Sequence, residues 1–409
     1  MKNLGFSSLI FFISKACILI APIFAAAVLS KENYGLIEWA LSFAMIFSSV
    51  FSFGSGNTIA FENLKKEGRK LVHLGQKYSM IICFIFFSTT LVVAESMPYA
   101  GLILGISSIF VIQYALSARL KSDGKGAFAG LVDSSFYILL LILTLIISVT
   151  ENENILSGYA FSIVGLLLLS VVFLRTDFNK GLSTQDLKLY FVRGAKIILA
   201  TNASLIFFNL PRIFLGNESL SLVAEFSLYF RWASIAIIIY RFFSLVYFRD
   251  LYTMSIKKFD RSISFISVGV LLFGFIILFS IQYINSLQMN ISGIPLNNTS
   301  IQFMLISIIC LWCISGSLEG LIYREKKPLK HLYAIIFGSF FFVTTFIIAQ
   351  NLQVSLVYVA VLSWLLGFIA TVFFQLTLLK KEKNIGNNLK FINLFFWSIF
   401  LINFIVLSL

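Results

Sequence analysis

The chain has 409 residues, of which 59% are hydrophobic and only 12% are charged, and Phe alone accounts for 46. Soluble domains carry about 25% charged residues, so this chain cannot cover an aqueous surface of its size. The composition and a mean hydropathy of +0.95 indicate an integral membrane protein. Apolar runs recur so closely that a separate soluble nucleotide-binding, glycosyltransferase or protease domain is excluded.

Thirteen apolar runs are long enough to cross a bilayer, whose hydrocarbon core needs about 20 helical residues. They are twice the length of a barrel strand and lack its alternation, so we predict helices. The predicted spans are 6–29, 36–56, 78–95, 99–118, 127–149, 155–174, 196–215, 222–247, 263–285, 300–322, 332–349, 354–379 and 391–409.

Alternate loops between these spans differ sharply in positive charge. Of the 31 Lys and Arg residues, 26 fall on one side of the predicted membrane, and the opposite loops hold only Lys31. Cytoplasmic loops hold the excess of Lys and Arg, so we predict a cytoplasmic N-terminus in a multi-pass protein of the bacterial inner membrane. The net charge of +13 then reflects topology and not nucleic-acid binding.

The few residues that could ligate a metal are scattered. Cys310 and Cys313 lie one turn apart in a span without His or carboxylate partners, so no metal site is predicted. His73 and His331 fall at predicted cytoplasmic loop positions, where we expect solvated side chains.

A weak internal repeat suggests a duplication of six spans. Residues 29–39 resemble residues 215–226 with one insertion, and both segments join an odd span to an even one on the outer side. A six-plus-six duplication gives two parallel halves related by an axis along the membrane normal. We therefore predict an all-α polytopic fold with two six-helix lobes, 1–180 and 181–385, and an extra C-terminal hydrophobic helix in 386–409.

Eight ionisable residues lie inside predicted spans, where each costs about 2.5–3.5 kcal/mol if it faces lipid. Lys15 and Arg231 are the deepest, near the midplane, and are the main candidates for a functional site. Asp133 lies nearly two turns inside the fifth span. For the five residues closer to span ends, an interfacial side chain remains an equal alternative; these are Glu38, Arg212, Glu225, Arg241 and Glu319.

Polar residues share helix faces with several of these charges. Ser42 and Ser49 follow Glu38 along the second span, Asn202 and Asn209 accompany Arg212 on the seventh, and Ser234 lies between Arg231 and Arg241 on the eighth. Small polar residues in spans also serve helix packing. Because these stripes include charges, we predict that the two lobes turn them toward a shared, partly cationic cavity.

Three segments carry a resemblance to a known family. They are Ile13-Ser14-Lys15 in the first span, Lys31-Glu32-Asn33-Tyr34-Gly35-Leu36 before the second, and Pro211-Arg212-Ile213-Phe214-Leu215-Gly216 closing the seventh. With its topology, the chain resembles over about 1–385 the O-antigen flippases, the polysaccharide-transporter branch of the superfamily that also holds multidrug and toxin extrusion antiporters.

The resemblance implies a flippase, not an enzyme, that moves an undecaprenyl-diphosphate-linked oligosaccharide to the outer leaflet by alternating access, for O-antigen or capsule synthesis. It implies coupling to H⁺ or Na⁺, with Asp133, Glu38 and Glu225 as the candidate acids. Membrane lipids, a polysaccharide polymerase and a chain-length regulator are the implied partners. We expect no catalytic residue and no other cofactor.

The candidates for holding the diphosphate are cations, because ammonium and guanidinium groups suit phosphate oxygens. The family's cationic cavity positions correspond to Lys15 and Arg231, and Arg212 and Arg241 complete the predicted set. Two features depart from the family: Pro211 replaces an acid found in many relatives, and the thirteenth run exceeds a twelve-span pattern.

Two other functions remain open at this point. A multidrug or cation antiporter on the same fold is the nearest alternative, although it typically uses acids for cationic drugs. A membrane polysaccharide polymerase or ligase is the other, but the longest outer loop, about 286–299, contains neither Arg nor His.

Overall fold

The computed structural model describes residues 4–53, 56, 59, 69–175, 184–246, 254–286, 298–324, 327–351, 354–381 and 385–408. These residues form α-helices and one short 3₁₀ turn, Glu153–Ile155, and they include no β-strand. The helices are α1 (Leu4–Val28), α2 (Lys31–Phe51), α3 (Arg69–Val93), α4 (Pro98–Ser122), α5 (Gly126–Asp133), α6 (Ser135–Thr150), α7 (Gly158–Arg175), α8 (Thr184–Glu218), α9 (Leu220–Ser234), α10 (Ile237–Val246), α11 (Ile256–Ser286), α12 (Thr299–Arg324), α13 (Pro328–Ala349), α14 (Leu356–Lys380), α15 (Ile385–Asn388) and α16 (Lys390–Ser408).

Each predicted span overlaps a helix or a pair of consecutive helices within the described residues. Within the described residues, nine helices are long and apolar enough to cross a membrane, and a bent pair would make a tenth. The chain is therefore a multi-pass, all-α membrane protein, as the sequence predicts.

Two predicted spans are interrupted, which the sequence did not indicate. The fifth is broken at Ser134 into α5 and α6, which meet at 45°. The eighth is broken after Ser234, where the amides of Ile235 and Ala236 bond to carbonyls three residues back. This is the tighter 3₁₀ pattern, which often marks a hinge or a functional site in a helix.

Helix starts follow local sequence signals. Ser30, Ser219 and Ser355 cap α2, α9 and α14 by accepting a hydrogen bond from a first-turn amide. Pro98 and Pro328 occupy the first positions of α4 and α13, where a missing N–H costs nothing. These residues reduce the number of backbone N–H groups at helix ends that lack a hydrogen-bond partner. Such groups are costly in an apolar surrounding.

The chain divides into two compact units, Met1–Ile206 and Phe207–Leu409. The predicted lobe boundary at 180/181 falls within 176–183, outside the described residues. In the first unit α4 is the central helix and packs against α2, α3, α5 and α7, while α1 packs against α5 and α6. Gly105 on α4 and Gly158 on α7 permit close approach, because a methyl group on either would overlap the backbone of the other helix.

In the second unit α14 is the central helix and packs mainly against α12 and α13. Its Trp364 is fully buried and donates from Nε1 to the carbonyl of Phe207 at 3.2 Å. Gly338 on α13 faces Gly367 on α14, so the two backbones come into contact. The rings of Phe207 and Phe368 pack beside this crossing at 4.8 Å.

The extra C-terminal helix α16 is attached to α11 through a carboxylate. The buried Asp260 accepts hydrogen bonds from the backbone amides of Phe391 at 3.2 Å and Ile392 at 3.0 Å. These amides belong to the first turn of α16, where a helix offers its own N–H groups no partners. A negative charge there also complements the helix dipole.

Candidate functional site

The first-unit candidates lie on α1 and α2. Lys15 is half-buried on the helix that packs against α5 and α6. Glu38 on α2 is only 1% exposed, and the Tyr34 hydroxyl lies one turn away, 3.4 Å from its Oε1. A carboxylate buried this deeply in a span is a strong candidate for binding a cation or a proton.

Asp133 is the last residue of α5, at the break in the fifth span. Its Oδ2 lies 2.8 Å from Lys121 Nζ, near the end of α4, and Gln113 donates its side-chain amide to the Asp133 carbonyl. The ion pair with Lys121 favours a structural role, and Asp133 as a coupling acid stays a prediction.

The predicted lining residues on α2 are buried. Ser42 donates its hydroxyl to the Glu38 carbonyl at 2.9 Å, and Ser49 is 4% exposed. A serine hydroxyl that donates to a carbonyl of its own helix already has a hydrogen-bond partner and needs no ligand. The geometry is compatible with helix packing, and a lining role stays a prediction.

A cavity of about 220 Å³ lies at the ends of α2, α4 and α7, on the side predicted to be extracellular. Asn33, Tyr99, Glu153 and Tyr159 contribute to its wall. The sequence did not single out Glu153, because it lies in a loop far along the chain from its partners.

Glu153 ties the loop after α6 to the start of α2. Its carboxylate accepts from the Ser30 amide at 3.0 Å, from the Ser30 hydroxyl at 2.9 Å and from the Asn33 side-chain amide. Partial burial alone would raise the pKa of Glu153, but these hydrogen bonds outweigh it and hold the pKa below its ordinary value of 4.5. Donors that favour the charged form have this effect.

We expect Glu153→Gln to lower the thermal stability of the purified protein at pH 7. A carboxyl whose pKa is lowered on folding contributes its stabilisation above the ordinary value, and this is lost as the pH falls through the folded pKa. The difference in Tm between wild type and Glu153→Gln should therefore shrink as the pH falls below 4.5. Glu151→Gln, at the exposed neighbouring position, is the control; an equal drop in both variants would contradict this role of Glu153.

In the second unit, Arg212 is held in an aromatic setting. Its guanidinium carbon lies 5.6 Å from the ring centre of Phe226 and 5.1 Å from that of Phe230, both on α9. Its Nε donates to Ser227 Oγ at 3.0 Å. Phe230 lies four residues after Phe226 and three after Ser227, so all three side chains can contact Arg212 from one side of α9. These contacts favour a structural role, and substrate binding by Arg212 stays a prediction.

We expect Arg212→Lys to destabilise the protein by about 2 kcal/mol, since a lysine keeps the charge but loses the Nε–H donor and the planar contact with the rings. Ser227→Ala should cost less, because the cation–π contacts remain. Thermal unfolding in detergent measures both, with Lys258→Arg, at an exposed position on α11, as the control. A larger effect of Ser227→Ala than of Arg212→Lys would contradict this ranking.

Arg231 lies three residues before the break in the eighth span and is 8% exposed. Ser234 donates its hydroxyl to the Arg231 carbonyl at 2.7 Å, and both precede the change to 3₁₀ geometry. Arg241, on α10 beyond the break, is half-buried. A buried cation beside an interrupted membrane helix resembles the way transporters build sites from discontinuous helices.

The other predicted residues fall into different environments. Asn209 on α8 is buried. Asn202, in the first unit, is half-buried, and its buried side-chain oxygen has no hydrogen bond to the described part of the chain. Glu225 on α9 is exposed, so it faces away from the packed interior of its unit. Its role as a coupling acid stays a prediction.

The expectation for His331 was wrong. It lies in the first turn of α13 and is 2% exposed, because α12 and α14 cover it. Its Nδ1 is 3.0 Å from Gln375 Nε2, and its Nε2 is 3.6 Å from Glu319 Oε2. In the sequence, a single His close to Pro328 and Lys330 indicates a loop. Only the tertiary structure brings Glu319 and Gln375 close to His331. His73 likewise lies inside a helix, α3, and not in a loop.

Among the residues that the structure describes, no three His, Cys, Asp or Glu side chains gather closely enough to hold a metal ion. The four cysteines are free thiols.

Comparison with known proteins gives a fold and no sequence family. No family model matches the chain, and no curated protein matches its sequence. Solved structures of MATE transporters are similar. The MATE multidrug transporter DinF-BH aligns with a TM-score of 0.63 at 14% identity over 94% of this chain and 96% of that chain. A MATE in complex with MaL6 gives 0.62 at 17% identity over 93% and 96%. An outward-facing multidrug resistance MATE family transporter of the MOP superfamily gives 0.61 at 14% over 92% and 96%.

These alignments confirm the predicted all-α fold of the MATE type. At such identities they establish the fold alone, since one fold hosts many functions. The O-antigen flippase branch therefore stays a prediction.

Proposed function

We propose that this chain is a membrane transporter that works by alternating access and carries no enzymatic activity. The observation that supports this is the likeness to MATE transporters over more than nine-tenths of the chain. Interrupted helices in both units supply places where such a transporter can bend.

For the substrate, we propose an undecaprenyl-diphosphate-linked oligosaccharide moved from the cytoplasmic to the outer leaflet. Buried Arg231 and half-buried Lys15 support this, because both are cations in spans. A diphosphate brings about two negative charges that need such partners. With a negative cell interior, moving two negative charges outward is favoured by about 4–5 kcal/mol per 100 mV.

The second candidate is the export of drugs or other organic cations. The comparisons favour it, since the similar structures are of multidrug transporters. Glu38 also favours it, because a buried carboxylate can pair with a cationic ligand. The two candidates thus rest on opposite charges within one chain.

One experiment separates the candidates. The chain is expressed in a bacterial strain lacking its own O-antigen flippase and, in parallel, in a strain lacking its drug exporters. Restored surface polysaccharide without resistance to cationic dyes supports the flippase. Dye efflux without surface polysaccharide overturns it in favour of the drug exporter, and failure in both strains at normal membrane abundance contradicts both.

A further inference from the structure

His331, Glu319 and Gln375 come together in the second unit from three different helices. Glu319 lies on α12, His331 on α13 and Gln375 on α14, and His331 and Gln375 are both almost completely buried. Glu319 is 30% exposed, so the cluster has one side open to its surroundings. Neither His331 nor Gln375 is among the residues assigned to transport above.

The hydrogen bonds determine where the imidazole carries its proton. Gln375 Nε2 lies 3.4 Å from the Ser315 carbonyl, to which it can only donate, and 3.0 Å from His331 Nδ1. An amide nitrogen is a donor only, so Nδ1 must accept. Neutral His331 therefore holds its proton on Nε2, which faces Glu319 Oε2 at 3.6 Å.

The same arrangement leaves one buried atom without a partner. Gln375 Oε1 is buried and has no hydrogen bond within the described part of the chain. An unsatisfied buried acceptor costs about 1–3 kcal/mol. Rotation of the amide by half a turn would place this oxygen against His331 Nδ1.

We propose that His331, Glu319 and Gln375 form a proton-binding site. A proton arriving at His331 binds to Nδ1, which is the acceptor nitrogen of the neutral ring. The imidazolium then donates from both nitrogens: Nε2–H faces the Glu319 carboxylate, and Nδ1–H requires an acceptor. The Gln375 amide rotates, so that Oε1 accepts from Nδ1 while Nε2 moves into the buried position that Oε1 occupied.

Proton binding also changes which helices Gln375 connects. In the neutral state Gln375 bonds to Ser315 on α12 and His331 on α13. After rotation its oxygen faces His331, and the donor to the Ser315 carbonyl is lost. The α12–α14 connection is thereby exchanged for a stronger, charge-assisted bond to α13. A buried element with two discrete arrangements is what coupling between a proton and a movement requires.

Burial of His331 disfavours the charged ring, so protonation depends on the charged groups that face it. From α12 the facing group is the Glu319 carboxylate, and from α14 it is the neutral Gln375. Lys330 precedes His331 on its own helix, and Arg324 on α12 directs its Nη1 to the Met254 carbonyl at 2.9 Å. Glu319 is thus positioned to offset the charge that the ring gains.

The chain contains only two histidines, so the imidazole nitrogens can be observed directly. The full chain, labelled with ¹⁵N-histidine and placed in lipid nanodiscs, is titrated by NMR, and His331→Gln identifies the His331 signals. At high pH we expect the tautomer with the proton on Nε2. On acidification we expect loss of the unprotonated-nitrogen signal and appearance of imidazolium, and Glu319→Gln should reduce the imidazolium fraction at a given pH.

Two NMR results would overturn the site. One is a His331 ring that stays neutral at every pH at which the protein is folded, and the other is a proton on Nδ1 at neutral pH. The role of the site in coupling rests on the proposed transport function, whereas the titration does not. If the ring titrates as expected but no transport is detected, the site stands and the proposed function fails. If transport occurs and the ring does not titrate, the site alone fails.

Discussion

Replacing Arg231 by alanine is expected to abolish translocation of the lipid-linked oligosaccharide while the protein still inserts into the membrane. Arg231 is buried beside the break in the eighth span, and its fork of donors suits the oxygens of a diphosphate. Loss of one hydrogen-bonded contact to a charged group costs about 2 kcal/mol, or about 30-fold in binding. Lys15→Ala should act in the same direction, with a smaller loss, since Lys15 is only half-buried.

The measurement is surface polysaccharide in a flippase-null strain, with membrane abundance of each variant followed in parallel. Arg231→Lys keeps the charge and should restore part of the activity. Lys258→Ala, an exposed cation on α11, serves as the matched control and should behave as wild type. Wild-type polysaccharide in the Arg231→Ala strain would remove this residue from the mechanism. If the chain instead exports organic cations, the same variant should retain dye efflux.

Gly338→Ala is expected to cause a large loss of stability. The new Cβ would overlap Thr371 Oγ1 and lie 2.6 Å from the Gly367 carbonyl oxygen, both on α14. Overpacking costs about 1–3 kcal/mol where side chains can adjust. Here the obstacle includes backbone, so α13 and α14 must separate and we expect a loss at or above the upper end of that range.

The control for this variant is another helical glycine. A Cβ at Gly269 on α11 would meet no atom of the described residues within 4 Å. Because alanine favours a helix over glycine by about 1 kcal/mol, Gly269→Ala should be neutral or stabilising. Thermal unfolding of the purified proteins in detergent compares the two. Equal Tm values for Gly338→Ala and Gly269→Ala would show that α13 and α14 do not cross at this glycine.

The positions of the helices could be predicted from sequence because a bilayer demands long apolar runs and each run here is bounded by charged or capping residues. The breaks at Ser134 and after Ser234 could not, since neither has a Pro or a Gly to mark it. They depend on local changes in backbone hydrogen bonding that hydropathy does not register. The charged residues within the spans were also visible in sequence, because a charge in an apolar run stands out.

The environments of those charged residues could not be predicted. Arg212 stands out as a cation in a span, but its contact with Phe226 and Phe230 depends on how α8 crosses α9. Asp133 stands out in the same way, whereas Lys121 looks like a loop residue in sequence and only the end of α4 brings it to 2.8 Å. The structure shows that Lys15 is half-buried and Arg231 buried, and diphosphate binding by both stays a prediction.

The attachment of α16 through Asp260 has a practical consequence for handling this protein. A shortened chain that stops before Lys390 would remove the amide donors of Phe391 and Ile392 and leave the buried Asp260 carboxyl on α11 without them. Purification tags are therefore better fused beyond Ser408 than substituted for the last helix. A version that lacks α16 should carry Asp260→Asn or a small apolar replacement from the outset.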